Sequence, residues 1–298
     1  MPSWPELQPF IVSGLALGGV YALSGVGLVV LYRATGVLYL AFGAVGAMGA
    51  LIAYSLISAG APGWAGWIVC VLFGGVLTLG YGMIFGPPLA RRDPLVKAVA
   101  TLGLTLVLFG VMDLLWTSSG GQARSITLPT DNGGFSLAQI QVTWTQVLSL
   151  GLGIALTVGT GAFLRYTSLG TAMRAMANDR EITATLGVPV RRVEAAAWFG
   201  CGVLGGLAGL LLADLVSLDA TTLTFLVISS LAAALIGQLR SIPVTFGAAL
   251  VIGLVHDLLT PITQLTDYRD MSPFVLAAIA LLWVSRHGTV MSRSREEA

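Results

Sequence analysis

Charged residues are scarce in this sequence: 15 Lys and Arg with 14 Asp and Glu make up only 10% of 298 residues. A soluble domain carries about 25%, so most of this surface must face lipid, where charge is costly. The net charge is +1 and no basic block stands out, so nucleic acid is not an expected partner. Cysteine is limited to Cys70 and Cys201. Each sits inside an apolar run, which marks them as buried small hydrophobes rather than a disulfide or a metal pair. The single lysine, Lys97, has no glycine-rich run ahead of it, and neither G-x-x-x-x-G-K-[ST], H-E-x-x-H nor G-x-S-x-G occurs. The chain therefore has no motif of its own for ATP hydrolysis or other hydrolytic chemistry. No cofactor, metal or catalytic residue is implied.

What is abundant is apolar: 56% of the residues are hydrophobic. Runs approaching the roughly 20 residues that cross a bilayer fall near 10–32, 36–58, 65–86, 95–116, 145–164, 193–216, 222–238, 243–259 and 272–285. The seventh and eighth are short and parted by Gln238-Leu-Arg240-Ser-Ile-Pro243. They fit either two tight spans or a re-entrant pair. The expected fold class is all-α, a polytopic transmembrane bundle of about nine segments forming one domain over 1–298. The amino terminus has no basic stretch before its apolar run, so the first segment reads as a retained span rather than a cleaved signal. With that terminus outside, thirteen of the fifteen basic residues fall on the inner side, leaving Arg124 and Arg269 outside. This is the asymmetry expected of a cytoplasmic face.

Ionisable residues avoid the middle of every predicted span. Asp113, Asp214 and Asp257 fall at outer ends, Glu194 and Lys97 at inner ends. Proton and sodium pumps place acids at membrane depth, so ion-coupled transport is disfavoured. His256, beside Asp257 at a helix end, reads as a structural histidine.

Two connections exceed a turn. The outer one, 117–144, is polar and rich in Gly, Ser and Thr. The inner one, 165–192, is built of helix formers from Ser168 and broken near Gly187 and Pro189. There Ala172, Ala175, Met176 and Ile182 are expected to share an apolar side, with Arg174, Asp179, Arg180 and Glu181 on the polar one. Such an amphipathic helix on the inner face suits either docking of a soluble partner or a place among the headgroups. Within the spans, Gly14 with Gly18, Gly202 with Gly206, and Gly205 with Gly209 put small residues four apart on one helix face. Such faces let backbones approach closely.

Two stretches carry a resemblance. One runs from Gly14-Leu-Ala-Leu-Gly18-Gly-Val-Tyr21-Ala-Leu through Gly36-Val-Leu-Tyr39-Leu-Ala41-Phe42-Gly43. The other is Leu169-Gly-Thr-Ala-Met-Arg174-Ala175 with Ala184-Thr-Leu186-Gly187. Together they resemble the permeases of bacterial branched-chain amino-acid ABC importers, the shorter leucine/isoleucine/valine H-type subunit with a type II importer fold. The resemblance implies three kinds of partner besides lipid: a second permease subunit or second copy, cytoplasmic ATP-binding subunits, and an extracytoplasmic solute-binding protein. It implies that the inner segment is the coupling helix, with Arg174, Ala175, Asp179, Glu181, Leu186 and Gly187 toward the ATPase. It also implies inverted halves. Where the family reads G-x-x-N-F-A-H-G, this sequence has Tyr39 for the Asn and Phe42 for the His, a greasier stretch. Candidates for the translocation pathway are Tyr21, Tyr32, Tyr39, Phe42, Gly43 and Met48, and for helix packing Gly14, Gly18, Gly202, Gly206 and Gly209.

The function expected is thus a non-enzymatic, multi-pass permease of the bacterial inner membrane. It would import branched-chain or related small amino acids by alternating access, driven by ATP hydrolysed in partner subunits. The alternatives are an ATP-independent secondary transporter or facilitator, which needs no docking helix, and an importer of urea, short amides or organic acids.

Overall fold

The computed structural model describes residues 4–90, 92–116, 134–137, 140–216, 218–261, 269, 271–280 and 282. They form α1 (Trp4–Thr35), α2 (Phe42–Ser58), α3 (Gly63–Leu89) and α4 (Pro94–Trp116), then the hairpin β1 (Gly134–Leu137) and β2 (Ile140–Thr143). After it come α5 (Trp144–Tyr166), α6 (Ser168–Asn178), α7 (Arg180–Thr185), α8 (Val190–Leu215), α9 (Ala220–Ile236) and α10 (Ile242–Leu258). A last helical stretch covers 272–280. Most of the expected outer loop, including Arg124, and the tail with Arg286, Arg293 and Arg295 lie outside the described residues.

The protein is a polytopic helical bundle with α1 at its centre. Val20, Tyr21, Leu23, Val26, Val29 and Leu31 are all fully enclosed, as a helix apolar on every side requires. Helices α3, α4 and α5 are the opposite case. Trp64, Ile68, Leu72 and Val76 make an exposed stripe on α3, and Leu95, Val99, Leu102 and Leu106 another on α4. Exposed apolar stripes of this length belong against lipid tails. Among the described residues five helices, α1, α3, α4, α5 and α8, are long and apolar enough to cross a membrane. Helices α2, α9 and α10 have 17 residues each, about 25 Å at 1.5 Å per residue.

The five singled-out glycines sit at helix crossings. A methyl group on Gly14 would stand 3.0 Å from the Gly253 carbonyl oxygen, and one on Gly18 2.9 Å from the Leu250 Cα, both on α10. On α8, Gly202 abuts Gly74 and Gly206 abuts Cys70, both on α3, while Gly209 abuts Gly46 of α2. The Cys70 thiol spans the α3–α8 crossing and donates to the Gly206 carbonyl at 3.1 Å. The pairing plan repeats: α1 packs on α10 and α9 as α8 packs on α3 and α2, and α9–α10 matches α2–α3.

The chain departs from the sequence reading in three places. The second span begins at Phe42, not 36. Gly36, at φ +66°, turns the chain out of α1, and Thr101 of α4 holds the linker: its hydroxyl accepts from the Leu40 N–H and lies 3.1 Å from the Leu38 carbonyl. The inner segment is two helices rather than one, because Asp179 is extended (φ −154°, ψ 114°) and its carboxylate caps the N–H groups of Glu181 and Ile182, each at 2.9 Å. The outer loop ends in a hairpin, registered Gly134 to Thr143, which leads into a capping box between Thr143 and Gln146 at the start of α5.

Candidate functional site

The element ends collect basic residues at one end of the bundle. Arg33, Arg92, Lys97, Arg165, Arg174, Arg180, Arg191, Arg192 and Arg240 lie there, and among the described basic residues only Arg269 lies elsewhere. Helices α6 and α7 cover this end. Thr167 caps α6 through the Gly170 N–H at 3.0 Å, and Gly170, Met173 and Met176 face inward, where Gly170 lets α6 pack directly on the α5 backbone at Leu164. Arg180 fastens α7 to α8 by an ion pair with Glu194 at 2.9 Å.

The expected apolar side of this segment is corrected. Met176 is buried and Ala172 partly so, but Ala175 and Ile182 face outward, Ile182 being 60% exposed. The break at Asp179 ends the common helical register, so α7 buries Thr183 instead. The outer surface carries Arg174, Ala175, Glu181, Ile182 and Leu186, the last 77% exposed. The segment closes at Gly187, whose φ is +83°. Ala175 and Ile182 are thus separated from Met176, with which they were expected to share one apolar side. A single-helix register hid the separation, and the N-capping propensity of Asp179 was the available signal.

The six pathway candidates are not gathered around one cavity. Tyr39 and Phe42 are both 2% exposed. The Tyr39 ring meets Trp198 of α8 edge-on at 5.3 Å and Tyr81 of α3 at 6.3 Å, and its hydroxyl is 3.4 Å from Thr78 Oγ1. This aromatic group, closed by Tyr81–Trp198 at 5.6 Å, accommodates the tyrosine that stands where the resembled family has asparagine. The Phe42 ring fills the gap between Gly27 and Gly205. Gly43 is buried and Met48 partly buried. Tyr32 lines a cleft of about 530 Å³ at the basic end.

Tyr21 lies deep in the core with its ring edge-on to His256 at 6.4 Å. His256 in turn lines a cavity of about 450 Å³ at the opposite end, with Thr221, Thr222, Phe225, Ser229 and Phe274. The wall is hydroxyls and an imidazole beside phenyl rings, a mixture suited to a small solute with polar and apolar parts. These α9 residues were not anticipated from the sequence, because hydroxyls in an apolar run carry no spacing signal.

Comparison with known proteins gives a consistent result. A model of the family described as branched-chain amino acid transport system, permease component, matches residues 10–284. The chain is 24% identical to the high-affinity branched-chain amino acid transport system permease protein LivH of Escherichia coli (strain K12), over 91% of each chain. It is 24% identical to the corresponding BraD protein of Pseudomonas aeruginosa, over 94% of this chain and 95% of that one. The probable branched-chain amino acid transport permease protein LivH of Methanocaldococcus jannaschii is 29% identical over 58% of this chain and 56% of its own.

Proposed function

We propose a function from one premise: the chain belongs to the family of branched-chain amino acid transport system permease components. It is the membrane permease subunit of an ATP-driven importer in a bacterial inner membrane, taking up branched-chain or related small amino acids. The observation that carries the ATP-driven part is the α6–α7 surface. Two short helices are held from behind, by Gly170 on α5 and by the Arg180–Glu194 pair on α8. They present Ile182 and Leu186 flanked by Arg174 and Glu181, an apolar tip with charges of both signs at its rim. A stand-alone facilitator gains nothing from such an exposed apolar tip, whereas an ATPase groove would bury it.

In this reading the basic end is cytoplasmic, the amino terminus is outside, and two permeases pair above two ATPases. A binding protein delivers solute to the outer face. The cavity backed by His256 and Tyr21 receives it, and rigid-body rocking of the close-packed helices moves it inward. Asp179 keeps α7 turned so that Ile182 faces the ATPase. Purification of the tagged chain from its native membrane in mild detergent tests the proposal. ATPases bearing phosphate loops co-purify with the wild type and are lost when Arg174 and Glu181 are reversed in charge. Recovery of the chain alone, with solute uptake intact in both forms, would make it an ATP-independent facilitator instead.

A further inference from the structure

The cleft at the basic end has an electrostatic composition that its position does not explain. It lies between the last turn of α1, the end of α6 and the α9–α10 turn, and Arg33, Arg174, Arg180 and Arg240 all line it. No Asp or Glu belongs to its wall. Arg180 is neutralised by Glu194. The other three make no ion pair among the described residues, and all three carry the same charge around one cavity. Their hydrogen bonds are long ones to backbone: Arg33 to the Arg240 carbonyl and Arg174 to the Arg165 carbonyl, each 3.4 Å. A cytoplasmic excess of arginine accounts for basic residues at this end, but not for three unpaired ones converging on one cavity.

The turn that brings Arg240 into the cleft is itself strained. Gln238 and Leu239 both have φ +54°, the left-handed conformation that side-chain-bearing residues rarely adopt and that persists only where the surroundings impose it. The strained turn holds Arg240 beside like charges, and an anion in the cleft would compensate those charges.

We propose that this cleft is a binding site for a phosphate group, held by Arg33, Arg174 and Arg240. Phosphate offers several acceptor oxygens and more than one negative charge to three forked donors, where a single carboxylate would leave two guanidiniums uncompensated. Two sources supply this chemistry at a membrane surface: the headgroup of an acidic phospholipid, for which basic pockets between helices are suited, or a soluble phosphate.

The test is thermal denaturation of the purified full chain in nanodiscs. One arm uses neutral phosphatidylcholine discs titrated with inorganic phosphate at constant ionic strength, with acetate as the carboxylate control. The other adds phosphatidylglycerol to the discs. The proposal expects the midpoint to rise with phosphate, with phosphatidylglycerol, or with both, and not with acetate. A response only to phosphatidylglycerol assigns a lipid, and one only to phosphate a soluble ligand. Arg33→Gln and Arg240→Gln should each weaken the response about tenfold, the loss of one charge-assisted hydrogen bond. Without the anion, neither variant should melt below the wild type, since each relieves repulsion. An absent response, a response in both variants as strong as the wild type's, or acetate matching phosphate would overturn it. The last result would point to an acidic side chain of a partner protein.

Discussion

Gly202 offers the sharpest test of how this bundle is held together. At the α3–α8 crossing a methyl group on Gly202 would overlap the Gly74 carbonyl oxygen and stand 2.7 Å from the Thr78 Cβ. The obstacle is backbone on one side and a buried side chain on the other, so relief requires the helices to separate. Overpacking of this kind costs about 1–3 kcal/mol. Two residues earlier on the same helix, Gly200 has nothing within 4 Å of such a methyl. There alanine should gain up to about 1 kcal/mol from its higher helix propensity. The two substitutions are chemically identical and differ only in what faces them. The chain has two cysteines, both buried, and Cys70 sits at this crossing with its thiol on the Gly206 carbonyl, so labelling of Cys70 by a thiol-reactive dye on heating, in a Cys201→Ala background, reports its opening. At about 2–4 °C per kcal/mol, Gly202→Ala should lower the labelling midpoint by roughly 2–12 °C, while Gly200→Ala leaves or raises it. Equal midpoints for the two variants would refute the claim that close backbone approach at Gly202 holds α3 to α8.

Three further outcomes follow from the site. Thr101→Val should leave the Leu40 N–H without its acceptor, at a cost of about 1–3 kcal/mol, and show as earlier melting and faster proteolysis of the 36–41 linker. Asp179→Ala removes the cap of α7, so about 1 kcal/mol of local stability is lost; amide exchange should speed up across 180–185 and ATPase retention should fall, with the bundle's midpoint little changed. Gly187→Ala forces a left-handed φ on a residue with Cβ, costing about 1–2 kcal/mol. It should weaken ATPase retention more than Gly200→Ala, read by the same co-purification.

Much of the architecture was legible because lipid imposes simple rules on sequence. Long apolar runs located the described spanning helices, with starts up to six residues off at α1 and α2, and the basic residues marked one end. The resemblance carried by the stretches from Gly14 to Gly43 and from Leu169 to Gly187 named the family that the comparison then matched over 10–284. The candidate site was less legible. Helical periodicity puts Ile182 on one apolar side with Met176 only if the helix is unbroken, and one extended residue at Asp179 suffices to cancel that register. Tyr39 and Phe42 read from sequence as pathway candidates, and the structure encloses both. Their enclosure depends on Trp198, Tyr81 and Gly205, which are distant in the chain.

Composition and periodicity alone determined that this chain is a membrane bundle, where its helices lie, which end is basic, and which glycines have a smooth face to offer. These are local properties, set by the transfer of each segment from water to lipid. Which faces meet was decided only by tertiary structure, as were the outward tip of α7, the Thr101 latch on the linker and the convergence of Arg33, Arg174 and Arg240 on one cleft. Those features arise between residues as many as 207 positions apart, where spacing along the chain carries no information and only packing brings the groups together.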